Sequence, residues 1–380
     1  MAHVLSTPSQ TPQSVRFGVQ IGAVDRVGIN DASLYREAII DAKLIQTLGY
    51  DAAWLVEHHF SDYYPTPNPL VFLSHLAAAC PGLGLGTAVM VLPWYDPIRF
   101  VEDISMVATM SSGPLYIGMG RGTAKLEYDA MRVSMEEARE RFQETWEVTQ
   151  LALKGESFTY QGKYLQLDRP IQIRPVLDAS RKIEFFGAIG SPGSAEIMAE
   201  LGLRPLALSQ FPDRMLVKIL DRWNVRNEQV GKARPDILPI SAKCFIGDTD
   251  EEAREEARGY LASFYKLQAE HYTSDSTPWG DIAGYEQFAR IFANMKLMGD
   301  PSQNDPIIER SLVGTPETVA RRVNELRAIG FNYMLISNAM AGVPRDVRHK
   351  MIRRFDEEVI PLCEELPIPE RPVLEVRATA

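Results

Sequence analysis

Eight strand-length apolar runs, separated by stretches of helical periodicity, constrain this chain more than any other feature. The runs are Val15–Ile21, Ala52–Val56, Leu83–Leu92, Leu115–Met119, Ile183–Phe186, Pro205–Leu208, Ile237–Phe245 and Tyr333–Ile336. Between the first two, Leu34, Ala38, Ala42, Ile45 and Leu48 form a helical stripe over Ser33–Leu48, closed by Gly49. Asn68–Pro69 and Asp96–Pro97 each join a side-chain cap to a proline preset for the first helical turn. They open helices to Ala79 and to about Met110. Ser134 with Glu137 reads as a capping box, which places the next helix start there and its end near Lys154–Gly155. Further helices are expected over Ser194–Leu201, Met215–Glu228, Pro316–Ala328 and Val347–Cys363. Strands alternating with helices require a parallel sheet covered by helices. A count of eight favours a closed (β/α)8 TIM barrel over a doubly wound sheet.

Two segments depart from the alternation. Phe158–Leu167 (FTY-QGK-YLQL) reads as a hairpin within an insertion over 156–170. The stretch 271–309 is rich in Asp, Gly, Pro and Met, and suits either a mobile lid over the barrel mouth or an ordered insertion. One barrel domain is expected over 15–366, between a polar leader, 1–14, and a loose tail, 367–380.

Composition excludes several function classes. The net charge of −10 leaves no basic stripe to neutralise phosphates, so a nucleic-acid partner is not expected. Cys80, Cys244 and Cys363 are far apart and form no C-x-x-C pair, which indicates neither a disulfide framework nor a zinc site. No apolar run approaches the roughly 18 residues of a membrane span. The leader has neither a basic nor an apolar segment of a signal peptide, so a cytoplasmic location is expected.

Chemistry concentrates where strands end. The second run stops abruptly at Glu57-His58-His59, and ligands in α/β folds gather at the carboxyl ends of strands. Adjacent histidines on an extended backbone point to opposite sides, so only one can face the mouth. Without H-x-H or H-x-x-x-H spacing a metal site is not indicated, whereas one imidazole suits proton transfer. A satisfied core or surface histidine is the plain alternative. Gly118-Met-Gly120-Arg121-Gly122 follows the fourth strand but makes a poor dinucleotide fingerprint, because Thr123 replaces the third glycine. Arg121 suits either a phosphate or a structural ion pair. Ser191-Pro-Gly-Ser194 opens a helix, where N-capping and anion binding can coexist. Together these segments describe a phosphorylated cofactor lying across a barrel mouth.

These residues resemble the bacterial luciferase-like superfamily of flavin-dependent monooxygenases. The likeness rests on WLVEHHF, GTAVMVLPWYDPIRFVEDISM, IGMGRG, IGSPGSAEIMAELGL and VGTPETVARRV, in that order, and covers about Val15 to Cys363. A weaker likeness links SPGSAEIMAELGLRPLAL to the branch that oxidises terpenes and cyclic ketones. The resemblance implies FMN, used as FMNH2 from a separate flavin reductase, and insertion of one oxygen atom from O2 into a small organic substrate by way of a C4a-peroxyflavin. It implies His58 at the reactive edge of the flavin and a non-prolyl cis peptide at Ala88–Val89 beneath the ring. It also implies cofactor contacts from Glu57, Arg121, Gly190, Ser191, Gly193 and Ser194, and substrate contacts from Tyr63 and Trp94. A homodimer is implied as well. Gly120 stands where light-emitting members carry cysteine, which argues against light emission. The rival readings are an F420-dependent hydride-transfer enzyme of the same superfamily and a non-catalytic flavin-binding protein. A metal-dependent hydrolase barrel stands third.

Overall fold

The computed structural model describes residues 14–22, 30–178, 180–272, 282, 285, 288–340 and 342–372. The first half of the chain runs β1 (Arg16–Gln20), α1 (Asp31–Leu48), β2 (Ala52–Leu55), α2 (Pro69–Ala79), β3 (Gly84–Val91), α3 (Pro97–Met110) and β4 (Leu115–Gly120). Two helices follow, α4 (Lys125–Met131) and α5 (Ala138–Ala152), then an antiparallel hairpin, β5 (Phe158–Gln161) and β6 (Gln166–Ile171). The barrel resumes with β7 (Ile183–Ala188), α6 (Pro192–Glu200), β8 (Arg204–Leu208), α7 (Asp213–Gln229) and β9 (Pro239–Ile246). The long α8 (Asp250–Tyr272) leads to α9 (Phe288–Met298), α10 (Asp305–Arg310), β10 (Leu312–Gly314), α11 (Pro316–Ile329) and β11 (Tyr333–Ser337). At the end, α12 (Arg345–Arg354) passes through a π-helical turn, Phe355–Val359, into α13 (Ile360–Glu365).

The sheet order β11-β1-β2-β3-β4-β7-β8-β9 is parallel throughout and closes where β9 pairs with β11. This is a (β/α)8 barrel. The short β10 adds a parallel extension beside Cys244–Ile246 of β9. The cap-plus-proline pairs work as local chemistry predicts: the Asn68 side chain accepts from the Val71 N–H, and Asp96 from Ile98 and Arg99.

Side chains that point inward fill the lower barrel. Trp54 stacks on Tyr116 at 5.4 Å and meets Phe186 and Tyr333 edge-on. Its indole N–H donates to the Tyr333 hydroxyl at 3.3 Å. Glycine flanks it for lack of room: a Cβ at Gly18 or Gly86 would sit 2.6 or 2.5 Å from the indole. Beneath, Arg16 lies over the Tyr333 ring and donates to Asp51 and the Tyr116 hydroxyl. Outward-pointing residues of the same strands, such as Val19, Ala53, Leu85 and Ile117, pack against the helices in the main core.

Four details differ from the sequence reading. Ser134 caps as expected, through the Glu136 N–H, but the turn it opens is a 3-10 turn, Met135–Glu137, ahead of α5 at Ala138, and the short α4 comes before it. A seven-residue helix spans under two turns and shows no period. The insertion expected from His271 starts later, because His271 and Tyr272 end α8. Of the remainder, 273–281, 283–284 and 286–287 lie outside the described residues, as do 1–13 of the leader and 373–380 of the tail. The strand β10 had no separate signal, and the C-terminal helix is interrupted by its π turn.

The two ends of the barrel are clasped by a buried ion pair. Arg348 of α12 donates from Nε and Nη2 to the Asp41 carboxylate of α1, at 2.9 and 3.1 Å. His349 adds a 2.8 Å contact to Asp41, and Glu37 one of 3.2 Å to Arg348. Both members of the central pair are almost wholly buried. Removing one would strand a charge, so Asp41→Ala should cost about 3–5 kcal/mol, read as a lower denaturant midpoint with an unchanged slope.

Candidate active site

Above the aromatic plug the inward positions shrink. Along β4 they run Tyr116, Gly118, Gly120; along β7 and just past it, Phe186, Ala188, Gly190. The space released is a cavity of about 310 Å3 at the carboxyl ends of the strands, of a size that suits a small-molecule site. The glycines of Gly118-Met-Gly120-Arg121-Gly122 serve close packing against β3. A Cβ at Gly118 would lie 2.3 Å from the Thr87 carbonyl oxygen, and one at Gly120 would lie 2.8 Å from Val89. Opposite them, β3 loses register between Thr87 and Met90, and the Ala88–Val89 peptide there is cis.

The tripeptide after β2 divides its labour. His58 lines the cavity, with its ring 4.7 Å from that of Tyr63. His59 turns away, and its Nε2 lies 3.1 Å from Glu57 Oε1. Glu57 is buried, and its carboxylate also accepts from the Val91 N–H (3.0 Å), the Trp94 indole N–H (2.7 Å) and the Tyr95 hydroxyl (3.0 Å). Four contacts make Glu57 a clamp that ties the end of β2 to the end of β3. Glu57 borders the cavity, but its carboxylate is committed to these four contacts. Trp94, expected at the substrate, is instead held by Glu57 and packs edge-on against Tyr128 at 5.2 Å, outside the cavity lining. Tyr63 does line the cavity, and its hydroxyl accepts from the Gln268 amide at 2.7 Å.

The partner of His58 is a residue with no local sequence signal. Glu127 of α4 places Oε1 3.2 Å from His58 Nδ1 and 2.7 Å from the His59 N–H that donates to it. His271 Nε2 lies 3.2 Å from the same oxygen, outside hydrogen-bond geometry, while its Nδ1 meets Ser61 Oγ at 2.7 Å. The Tyr272 hydroxyl completes the group, 3.4 Å from His58 Nε2. Burial pushes His58 below the usual 6.5, and the pull of Glu127 only partly opposes it. Burial would raise Glu127, yet His271 and His58 outweigh that and bring it down to about 2. At neutral pH the pair is therefore a carboxylate beside a neutral imidazole. A carboxylate on Nδ1 requires Nδ1–H, which leaves the lone pair on Nε2 toward Tyr272. His58, Glu127 and His271 also bring three ligand atoms within 4.8 Å of one another, a donor set able to take a divalent cation. They come from three separate segments, so spacing in the sequence gave no hint of it.

Across the cavity, Arg121 sits at the rim with its guanidinium 4.9 Å over the Tyr285 ring. The start of α6 faces the same rim through Gly190 and Ser194. Ser191 and Ser194 form a reciprocal capping box. The Ser191 hydroxyl accepts from the Ser194 N–H, and Ser194 Oγ accepts from the N–H groups of Gly190 and Ser191. The Gly193 N–H is left without a carbonyl that it could reach inside the helix. A Cβ at Gly193 would meet nothing within 4 Å, but Ser191 and Gly193, unlike Gly190 and Ser194, do not line the cavity. An arginine, a helix N-terminus and an apolar wall of Ala88, Val89, Met198 and Leu206 fit a planar ring that carries a phosphate. Glu127, Tyr272, Gln268 and Lys243 line the cavity, with His271 behind them against Glu127, and these are the residues that sequence reasoning missed.

Comparison with known proteins bears on the family and the fold. Residues 15–333 match the model of the luciferase-like monooxygenase family. The uncharacterised protein y4vJ of Sinorhizobium fredii (strain NBRC 101917 / NGR234) is 37% identical over 138 residues, which are 36% of this chain and 39% of that protein. The oxygenase component of flavin-dependent trigonelline monooxygenase from Acinetobacter baylyi is 24% identical over 353 residues, 89% of this chain and 92% of that one. Among solved structures, monooxygenase RslO1 from Streptomyces bottropensis superposes with a TM-score of 0.74 at 21% identity, covering 91% of this chain and 99% of that one. An F420-dependent secondary alcohol dehydrogenase superposes at 0.71 with 15% identity, covering 92% and 99%. With the family model matched over most of its length, this chain belongs to the luciferase-like monooxygenases, a family of flavin-dependent oxidoreductases.

Proposed function

We propose that this protein is the oxygenase of a two-component system, taking reduced FMN from a separate reductase and placing one oxygen atom of O2 into a small organic substrate. The observation that carries this reading is the shared cavity. It brings a His58 kept neutral by burial and oriented by Glu127 into one space with the Ala88–Val89 wall, Arg121 and the start of α6. A relative named as an oxygenase component supports the two-component form. In this reading the protein works in the cytoplasm, as a homodimer.

Arg121 and the start of α6 would hold the phosphate, and the apolar wall would hold the ring. Bound reduced FMN supplies the electrons that activate oxygen. His58 Nε2 takes up and returns the proton that oxygen transfer requires, while Glu127 fixes its tautomer and orientation. Tyr63, Tyr64 and Tyr272 line the cavity near His58 and keep water from it. The F420 reading keeps a specific point in its favour, the superposition on an F420-dependent dehydrogenase.

Mixing the anaerobic protein and reduced FMN with oxygenated buffer in a stopped flow tests the proposal. Reoxidation slower than that of free reduced FMN, and faster again in His58→Ala, is the expected result. Reoxidation at the free rate, with tight binding of F420 instead, would transfer the reading to hydride transfer. Slow reoxidation unaffected by His58→Ala, with no product from any substrate, would leave a non-catalytic flavin carrier. Arg121→Met should raise the Kd for FMN roughly tenfold to a hundredfold, the worth of a charge-assisted hydrogen bond.

The histidine can be followed directly. In NMR titrations of histidine-labelled protein, the His58 signal, identified by its absence in His58→Ala, should half-protonate below 6.5. Glu127 attracts the imidazolium, so its removal makes protonation harder. The midpoint in Glu127→Gln should therefore move further to acid. A midpoint that stays in place would show that Glu127 does not act through His58.

A further inference from the structure

The wall of the cavity that faces away from the proposed cofactor surface carries a half-buried lysine that the chemistry above does not use. Residues of β9 alternate: Ala242 and Cys244 point out into the helix-packed core, whereas Ser241 and Lys243 point into the cavity. In the closed strand order β9 lies four strands from β3 in either direction, which places Lys243 diametrically across the mouth from Ala88–Val89.

The described surroundings of Lys243 are a hydroxyl, an amide and an aromatic ring. Its ammonium donates to the Ser337 hydroxyl at 3.1 Å and lies 3.9 Å over the Phe264 ring. The Ser241 hydroxyl donates nearby to the Gln20 side chain at 3.4 Å. Among the described residues no carboxylate pairs with Lys243, and burial alone pushes its ammonium down to about 7. An unpaired cation in such a place is costly, and a methionine would fill the same volume without that cost. The cost is explained if something negative comes to meet it.

We infer that Lys243 is the anchor for an anionic group on the substrate, and that the substrate of this enzyme is an organic carboxylate. The inference rests on the proposed function, because it takes the wall of β3 and β4 as the cofactor side and leaves the far wall to the substrate. One lysine, with a hydroxyl and an amide beside it and no arginine, matches a singly charged planar acceptor better than a phosphate, which recruits more donors. A carboxylate held there directs the remaining carbon skeleton back across the cavity toward His58. The position of the carboxylate would then decide which carbon meets the oxygen.

Calorimetric titrations of the purified protein, with and without FMN, test this with matched probe pairs: benzoate and benzamide, phenylacetate and phenylacetamide, decanoate and decanamide. At least one carboxylate should bind ten or more times more tightly than its amide. In Lys243→Met that preference should vanish, with the amide Kd within threefold of the wild-type value. The FMN Kd should stay within twofold, and the melting temperature should rise because the unpaired, partly desolvated charge is gone.

Absence of any carboxylate preference in the wild type, or its survival in Lys243→Met, would overturn the inference. FMN affinity falling as steeply as carboxylate affinity would place the charge at the cofactor ring, and would overturn it too. A lower melting temperature would make Lys243 a structural residue. Failure of the wild type to bind FMN would sink the proposed function instead, while the titrations run without FMN would still report on Lys243.

Discussion

A closed barrel has no edge strands, so everything its eight strands point inward must share one interior, and here Trp54 occupies the middle of it. The indole is too large for its neighbours to carry side chains of their own, and Gly18 and Gly86 give way to it. With Tyr116, Phe186 and Tyr333 around it, the lower barrel is packed solid. Further along three of these strands the pattern reverses. Tyr116 gives way to Gly118 and Gly120, Phe186 to Ala188, and Tyr333, past Leu335, to Ser337. The cavity is thus a consequence of side-chain size read along strands of period two, with the plug as its floor. Stability and ligand space are written on the same strands, at different heights.

A mouth this enclosed can keep polar groups only if they are paired. Glu57 is the plainest case, a buried carboxylate with four contacts that arrive from the strand after it, the turn beyond and the neighbouring histidine. Glu127 is the second, joined to His58, to the His59 N–H and to the edge of His271. Such networks hold their members in one geometry before any ligand arrives, which is the condition for a site that orients rather than merely encloses. Lys243 is set apart from both. Its contacts are a hydroxyl and an aromatic face, which soften burial of the charge without neutralising it.

Local chemistry explains which parts of this arrangement were legible in the sequence. Asn68–Pro69 and Asp96–Pro97 act within one helical turn, so the helices they open start where the sequence places them. The strands show as apolar runs because both faces of a parallel barrel strand are covered. Glu127 was hidden because α4 is too short to show a period and because its partner lies 69 residues earlier. His271 and Tyr272 were assigned to an insertion by its composition, although they are the last turn of α8. The direction of Trp94 depends on Glu57 offering an acceptor, a tertiary contact that no spacing announces. The glycines around Arg121 make a poor dinucleotide fingerprint, and they serve close approach to the irregular stretch of β3.

The two adjacent histidines show how far such reasoning reaches. Alternation on an extended backbone separates them, and it cannot say which one faces inward. The two carboxylates decide it. Glu57 holds the ring of His59 against the outside of the β2–β3 junction, while Glu127 takes both the His59 N–H and the His58 ring from the cavity side. Exchange of the two roles would require Glu57 to release three other donors and Glu127 to lose its backbone contact. The arrangement is therefore held at both ends. His58 is left as the imidazole of the tripeptide that lines the cavity, with its second nitrogen 3.4 Å from the Tyr272 hydroxyl, and under the proposed function that nitrogen is the one that would exchange a proton.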